Sequence, residues 1–365
     1  MLNNETPRWI AGVEPAPELL NATGTEILEI ECREQPSRLR DLLRAYSSDP
    51  AIRVELAKLK ALGTGSGPVL FLGMGGSLCS SYGGSVTLHS GGKPSFSVDA
   101  GEWLHYGAST WDQAALSVLL TTSGESAELV ELVKAAGTRP LALICNNPGS
   151  PCWRLTEMRL PILAGPEYGN ATKTYTNATA ASIILAAEIL GYSWQRDADV
   201  AVDAFSASLE RIFAQRHELE SFCRGAANTE IVGRGAAYGA AVMSALCIRE
   251  MSGHRAAPHT GAGFRHGPNM DVDASHVAII FAVGRCAGLG VKLSQECIGK
   301  GGRVVLVSEQ ERAASLSLYP VRLDPVAEPW HAVTCILAAQ ALTLAMIERT
   351  GCRLPPRFQY GAMEQ

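Results

Sequence analysis

Two strand-turn-helix patterns recur in this chain at one fixed offset, and that repeat constrains the fold more than any other feature. Leu70–Gly76 closes an apolar run with a glycine turn, and Thr229–Gly235 does the same, Gly233 following Gly73 by 160 residues. Ile279–Gly284 echoes Leu119–Gly124 at the same offset of 160, and Val304–Ser308 echoes Leu141–Cys145 after a small insertion. The runs Val69–Met74, Leu116–Thr121, Leu141–Cys145 and Leu160–Leu163 are largely apolar, as strands covered on both faces are. Ser126–Ala136 reads as an amphipathic helix, with Leu129, Val130, Leu132 and Val133 on one face and Gly137 as its stop. Ala178–Leu190 is apolar all round and reads as a buried helix. The expected class is α/β: two tandem doubly wound units, each with a parallel sheet.

A chain of 365 residues exceeds what one core usually holds. The polar stretch Gly191–Ala198 is the expected boundary. The reading assigns 1–50 to an N-terminal arm and helix, 51–200 to the first unit, 201–350 to the second and 351–365 to a tail. Within the first segment, Thr25–Tyr46 predicts a helix interrupted near Pro36, with Ile27, Ile30, Leu39, Leu42 and Leu43 on its buried face. His331–Arg349 predicts a long helix with an aliphatic face. A formal charge of −5 argues against a nucleic-acid or membrane-surface partner. No apolar stretch of about 18 residues is expected, and so no membrane span. Ten cysteines without any C-x-x-C spacing predict buried thiols in a reducing, cytoplasmic setting.

Chemistry concentrates in two stretches. Thr121, Thr122, Ser123 and Ser126 surround Gly124 just ahead of a helix. Hydroxyls beside free helix amides form an uncharged cradle for an anion such as phosphate. A capping box, Thr122 with Glu125, is the simpler alternative. The first turn, Gly73–Ser77, offers Gly75, Gly76 and Ser77 to the same kind of ligand, but its glycine spacing is no dinucleotide fingerprint. The second stretch, Ala240–Pro268, is a small-residue helix ending at Arg249-Glu250, then a Gly/Pro/His loop to Phe264-Arg265-His266-Gly267-Pro268. Glu250 fits a general base or a solvated helix end, and His266 a proton shuttle or a structural histidine. His254, His259 and His266 lack a carboxylate or cysteine at metal-ligand spacing, so no metal is expected. Lys173 fits either a substrate contact or a turn closure, and Arg234 either an anion contact or a salt bridge.

At these residues the chain resembles the sugar isomerase (SIS) domain family in its double-domain, flavodoxin-like form. It is similar to the isomerase half of glucosamine-6-phosphate synthases and to stand-alone amino-sugar-phosphate isomerases, deaminases and deglycases. The carrying residues are Glu34-Gln35-Pro36, Gly73–Ser77, Thr121–Ala127, Cys145–Ser150, Ala164–Glu167, Thr172–Thr176, Gly233-Arg234-Gly235, Arg249-Glu250 and His266-Gly267-Pro268, all in family order. The resemblance implies that Thr121, Thr122, Ser123 and Ser126 hold a sugar phosphate and that Ser77 contacts substrate. It implies that Glu250 moves a proton between C1 and C2. It implies that His266 opens the sugar ring in the neighbouring subunit's site, hence a homodimer. No cofactor is implied.

The departures matter as well. Cys247 stands where the synthases have a lysine, and Gly263 or Phe264 where they have a glutamate before the histidine motif. The tail Phe358–Gln365 has no lysine, and no glutaminase domain or N-terminal nucleophilic cysteine is present. The expectation is an aldose–ketose isomerase or deaminase of a hexosamine or hexose 6-phosphate. A deglycase of amino-acid–sugar-phosphate adducts, the isomerase part of a glutamine–fructose-6-phosphate aminotransferase-like activity, and a non-catalytic sugar-phosphate sensor are the alternatives.

Overall fold

The computed structural model describes Leu19 and residues 22–353. The expected arm before residue 19 and the tail from residue 354 lie outside the described residues. The chain divides into two units between Ser193 and Trp194.

In unit 1 the helix Gly24–Ser48 runs unbroken through Pro36, which corrects the expected interruption. Proline lacks the N–H that would donate to the carbonyl four residues back, here that of Cys32. The side-chain amide of the neighbouring Gln35 donates to that carbonyl instead, at 3.0 Å. A capping box on Thr23 and Glu26 fixes the helix start. Asp49 then caps a second helix, Pro50–Gly63.

The sheet of unit 1 holds β1 (Val69–Gly73), β2 (Ser95–Asp99), β3 (Leu116–Thr121), β4 (Leu141–Cys145) and β5 (Met158–Pro161) in the order β2-β1-β3-β4-β5. All its pairings are parallel, with Val69 opposite both Ser95 and Leu116. The helices Gly76–Ser90, Ala127–Ala136 and Lys173–Leu190 complete the unit. The last begins earlier than Ala178, and nearly all of it is buried.

Unit 2 repeats the plan. After helices Gln195–Ala214 and Arg216–Cys223 come β6 (Asn228–Gly233), β7 (Ala256–Thr260), β8 (His276–Ala282), β9 (Arg303–Ser308) and β10 (Leu318–Arg322). Their order is β7-β6-β8-β9-β10, again all parallel, so each strand holds the place of its counterpart five positions earlier. The turns repeat too. Gly75 and Gly235 have φ 52° and 56°, and Gly124 and Gly284 have φ 66° and 58°, so both pairs sit in the left-handed region.

Several sequence expectations shift. The fourth predicted run forms β5 two residues earlier, and Leu163 takes φ 56°, which no strand continues. The Glu250 helix, Ala237–Ser252, runs two residues past Glu250. The expected Gly/Pro/His loop contains strand β7 and a helical turn, Gly261–Arg265. The long C-terminal helix is two adjoining helices, His331–Thr334 and Ile336–Thr350. The helical run Glu328–Thr350 is long and apolar enough to cross a membrane, correcting the expectation that no such stretch exists, and its whole apolar window is buried. It is the core helix of unit 2, packed on Ala237–Ser252.

Candidate functional site

The hydroxyl loop lies at the C-terminal edge of the first sheet, where β3 passes into the helix Ala127–Ala136. In a sheet of this order, ligands bind at that edge, where the chain reverses its direction of winding. The alternative reading, a capping box of Thr122 and Glu125, is not formed: Ser126 is the N-cap, and no side chain caps this helix. Two hydroxyl oxygens serve the loop itself. Thr121 Oγ1, buried, accepts from the Gly124 N–H at 3.1 Å, and Ser123 Oγ accepts from the Glu125 N–H at 3.3 Å. The Thr122 and Ser126 hydroxyls have no partner among the described residues, nor does Ser77 in the first turn. Gly75 caps its helix without a side-chain bond and faces open space, and Gly76 is the first helical residue.

The loop is braced from behind by the segment after β4. The Cys152 N–H donates to the Gly124 carbonyl at 3.1 Å. A Cβ on Gly124 would lie 2.3 Å from Ser150 Oγ, so glycine is required there by space as well as by φ. Asn147 donates its side-chain N–H to Glu125 Oε1 at 3.2 Å. Asn146 holds the next loop, donating to the Gly165 carbonyl at 2.8 Å and accepting from the Ala164 N–H at 3.0 Å.

Lys173 is paired within unit 1. Its buried ammonium donates to Glu34 Oε2 at 2.5 Å and to the Pro166 carbonyl at 2.7 Å, so it closes the 164–172 loop onto the first helix. Two further carboxylates complete that closure: Glu167, read in the sequence only as part of a motif, and Glu31, not singled out there. Glu167 accepts from the N–H and hydroxyl groups of Thr172 and Thr174. Glu31 accepts from the N–H groups of Tyr168 and Gly169, at 2.5 and 3.3 Å. Burial pushes the Glu31 carboxyl well above its ordinary value, and the Glu167 charge adds to the shift while Lys173 opposes it. Its signal in the sequence is a carboxylate one helical turn from Ile27, on the buried face.

In unit 2, Glu250 is partly buried and His266 is exposed. β6 and β7 are parallel, Thr229 opposite Ala256 and Gly233 opposite Thr260. The helix Ala237–Ser252 returns the chain from the end of β6 to the start of β7, so Glu250 lies at the N-terminal edge of the sheet. His266 follows the end of β7 by one helical turn and lies at the C-terminal edge. From Ala237 to Glu250 the helix rises about 20 Å, and a five-residue strand spans about 16 Å. Within one unit 2 the two residues therefore do not meet.

The other two histidines of that stretch have partners. His254 Nε2 is 3.0 Å from Thr229 Oγ1, and burial lowers its pKa. His259 Nε2 is 2.6 Å from Glu230 Oε2. Among the described residues no group of three His, Cys, Asp or Glu side chains is arranged to hold a metal. Cys247 is buried against Thr343, and desolvation pushes its thiol up to about 12, so the position does not supply the charge of a lysine. Arg234 lies over Gly261, where a Cβ would come within 2.3 Å of its guanidinium, and it has no hydrogen-bond or ion-pair partner among the described residues. The salt bridge open to it in the sequence is thus not formed. The second copy of the anion loop has lost its hydroxyls. Val283, Gly284, Arg285 and Cys286 stand where unit 1 has Ser123, Gly124, Glu125 and Ser126, and Arg285 Nε donates to Glu328 Oε2 at 2.5 Å.

Two doubly wound units, one with a hydroxyl-rich loop at its sheet edge, define the class as a tandem α/β fold. Residues 65–188 match the model of the SIS domain family. That match covers about a third of the chain and lies within the first unit. A glutamine–fructose-6-phosphate aminotransferase (isomerizing) of Methanothermobacter thermautotrophicus is 27% identical over 75% of this chain and 46% of its own length. The chain thus spans about half the length of that relative. Two solved structures share the fold. The C-terminal domain of glucosamine-fructose-6-phosphate aminotransferase from Francisella tularensis has a TM-score of 0.80, with 19% identity, over 90% of this chain and 97% of that one. A glucosamine-6-phosphate deaminase of Thermotoga maritima has a TM-score of 0.70, with 17% identity, over 93% of this chain and 98% of that one.

Proposed function

We propose that this chain is a sugar-phosphate isomerase or deaminase acting on a hexosamine or hexose 6-phosphate. The observation that carries the reading is the loop Thr121–Ser126, whose helix has no side-chain cap and whose Thr122 and Ser126 hydroxyls have no partner among the described residues. These groups, with Ser77, take the phosphate oxygens. His266 moves a proton at the ring oxygen and opens the sugar. Glu250 removes the proton from C2 and returns it to C1, turning aldose into ketose. Where C2 carries an amine, the product is a C2 imine; water adds to it, the C–N bond breaks, and ammonia leaves with a ketose phosphate. Because Glu250 and His266 lie at opposite edges of unit 2, a second copy of the chain supplies one of them, and the working form is a homodimer. The buried free thiols suit a reducing compartment, which we take to be the cytosol.

A second reading has one observation in its favour. Arg234 presents a guanidinium that has no partner among the described residues, at the same sheet edge as His266, which suits a substrate carrying a second anion. An amino-acid adduct of a sugar phosphate is such a substrate, and its cleavage needs the same proton transfer.

The test is ammonia release from glucosamine 6-phosphate by the purified protein, with galactosamine 6-phosphate in parallel. Ammonia and a ketose phosphate are expected, and Glu250→Gln should bind substrate without turning it over. Undiminished turnover in that variant removes Glu250 from the mechanism. Inert amino sugars together with cleavage of amino-acid adducts select the second reading.

A further inference from the structure

The anion cradle of unit 1 contains a misplaced charge. Glu125 sits between Gly124 and Ser126, inside the loop that offers hydroxyls and amides to a phosphate. A carboxylate free to swing there would repel a phosphate dianion and compete with it for the same N–H and O–H donors. Its neighbours show how this is prevented. Asn147 is almost completely buried. Its side-chain oxygen accepts from the Gly149 N–H at 2.9 Å, which fixes the amide plane, and its side-chain nitrogen then donates to Glu125 Oε1 at 3.2 Å. The backbone of Asn147 is fixed as well, through contacts with Cys145 and Ser150.

We propose that Asn147 is a positioning residue that clasps the Glu125 carboxylate away from the phosphate and so sets the affinity of the cradle. The inference rests on the reading of this loop as the phosphate site. The second unit supports it by its own arrangement. There the residue after the left-handed glycine is also charged, Arg285, and it too is held by a side chain distant in sequence, Glu328. The charge after the turn is restrained in both copies, although only one copy retains the hydroxyls.

The clasp makes an energetic prediction that loop scaffolding does not. In Asn147→Leu, which keeps the branched outline of the side chain and removes the donor, the Kd for glucosamine 6-phosphate and for inorganic phosphate should rise about tenfold, the size of one like-charge contact near the anion. Saturated turnover should change far less than KM. Glu125→Gln alone should tighten binding by about twofold, through removal of the residual repulsion. The double variant Asn147→Leu/Glu125→Gln should recover to within about threefold of wild type. Asn147→Asp, which preserves the turn to Gly149, should weaken binding at least as much as Asn147→Leu, and Glu125→Gln should rescue it too.

Calorimetric titration of the full chain reads all of these. A double variant as weak as Asn147→Leu, or an Asn147→Leu protein that binds like wild type, overturns the clasp while the loop remains the phosphate site. A loss in Glu125→Gln equal to that in Asn147→Leu also overturns it, since the carboxylate would then be needed by the ligand. A wild-type protein that binds neither probe overturns the reading of the loop and the clasp together. Should Asn147→Leu not fold, the Asn147→Asp pair decides by the same criteria.

Discussion

Glu250 and His266 are sixteen residues apart in sequence and stand at opposite edges of the same sheet. In the proposed reaction a substrate at one edge of unit 2 meets one of them, and a second copy of the chain supplies the other. Mixing two dead variants tests this. Co-expressed Glu250→Gln and His266→Ala chains should regain about a quarter of wild-type activity, because half of the dimers are mixed and each mixed dimer has one intact site. Activity no higher than in the separate variants would mean that each chain completes its own site.

Gln35 and Pro36 form a compensating pair. The proline removes a donor from the helix Gly24–Ser48, and the glutamine amide replaces it at the Cys32 carbonyl. Gln35→Ala should therefore lower stability by about 1 kcal/mol, since the buried hydrogen bond from its amide to that carbonyl is lost. In a Pro36→Ala background the new N–H at position 36 can make the ladder bond, and the same change should cost about 1 kcal/mol less. Chemical denaturation of the four proteins measures the coupling, and an equal cost in both backgrounds would contradict it.

The buried Glu31 makes stability depend on pH with a definite sign. Its carboxyl lies well above the ordinary value of 4.5, chiefly through burial. The folded chain holds a proton there that the unfolded chain has already released, so this group's contribution falls as pH rises from about 4.5 through the folded value. Glu31→Gln keeps a neutral acceptor for the Tyr168 N–H. It should raise the melting temperature at pH 8, with the gain shrinking towards pH 4.5 and disappearing below it. A gain that grows on acidification would reverse the sign argued here.

What could be read in the sequence follows the covering of the strands. β1, β3, β4, β6, β8 and β9 lie inside their sheets and carry apolar runs, and the equal offsets of Gly73 with Gly233 and Gly124 with Gly284 gave their register. The strands read late or not at all are the edges β2, β5, β7 and β10. An edge strand can carry polar residues and proline, as Pro258 does in β7 and Pro320 in β10, so its pattern resembles a loop. The hydroxyl loop was legible because its residues are contiguous. The role of Lys173 was not, because its partner Glu34 lies 139 residues away. Asn147 escaped for the same reason: its motif was visible, but its contact with Glu125 exists only once β3 and β4 are paired.

The helix Ile336–Thr350 is the last described element and among the most apolar, and it covers the helix that carries Glu250. On the ribosome, every strand of unit 2 is therefore made before its cover. Until residue 350 has left the exit tunnel, the small-residue face of Ala237–Ser252 stays bare, a surface suited to chaperones and to aggregation. A nonsense codon anywhere before residue 328 would leave that face bare for good, and loss of the final turns would matter more to the yield of folded protein than their distance from the phosphate loop suggests.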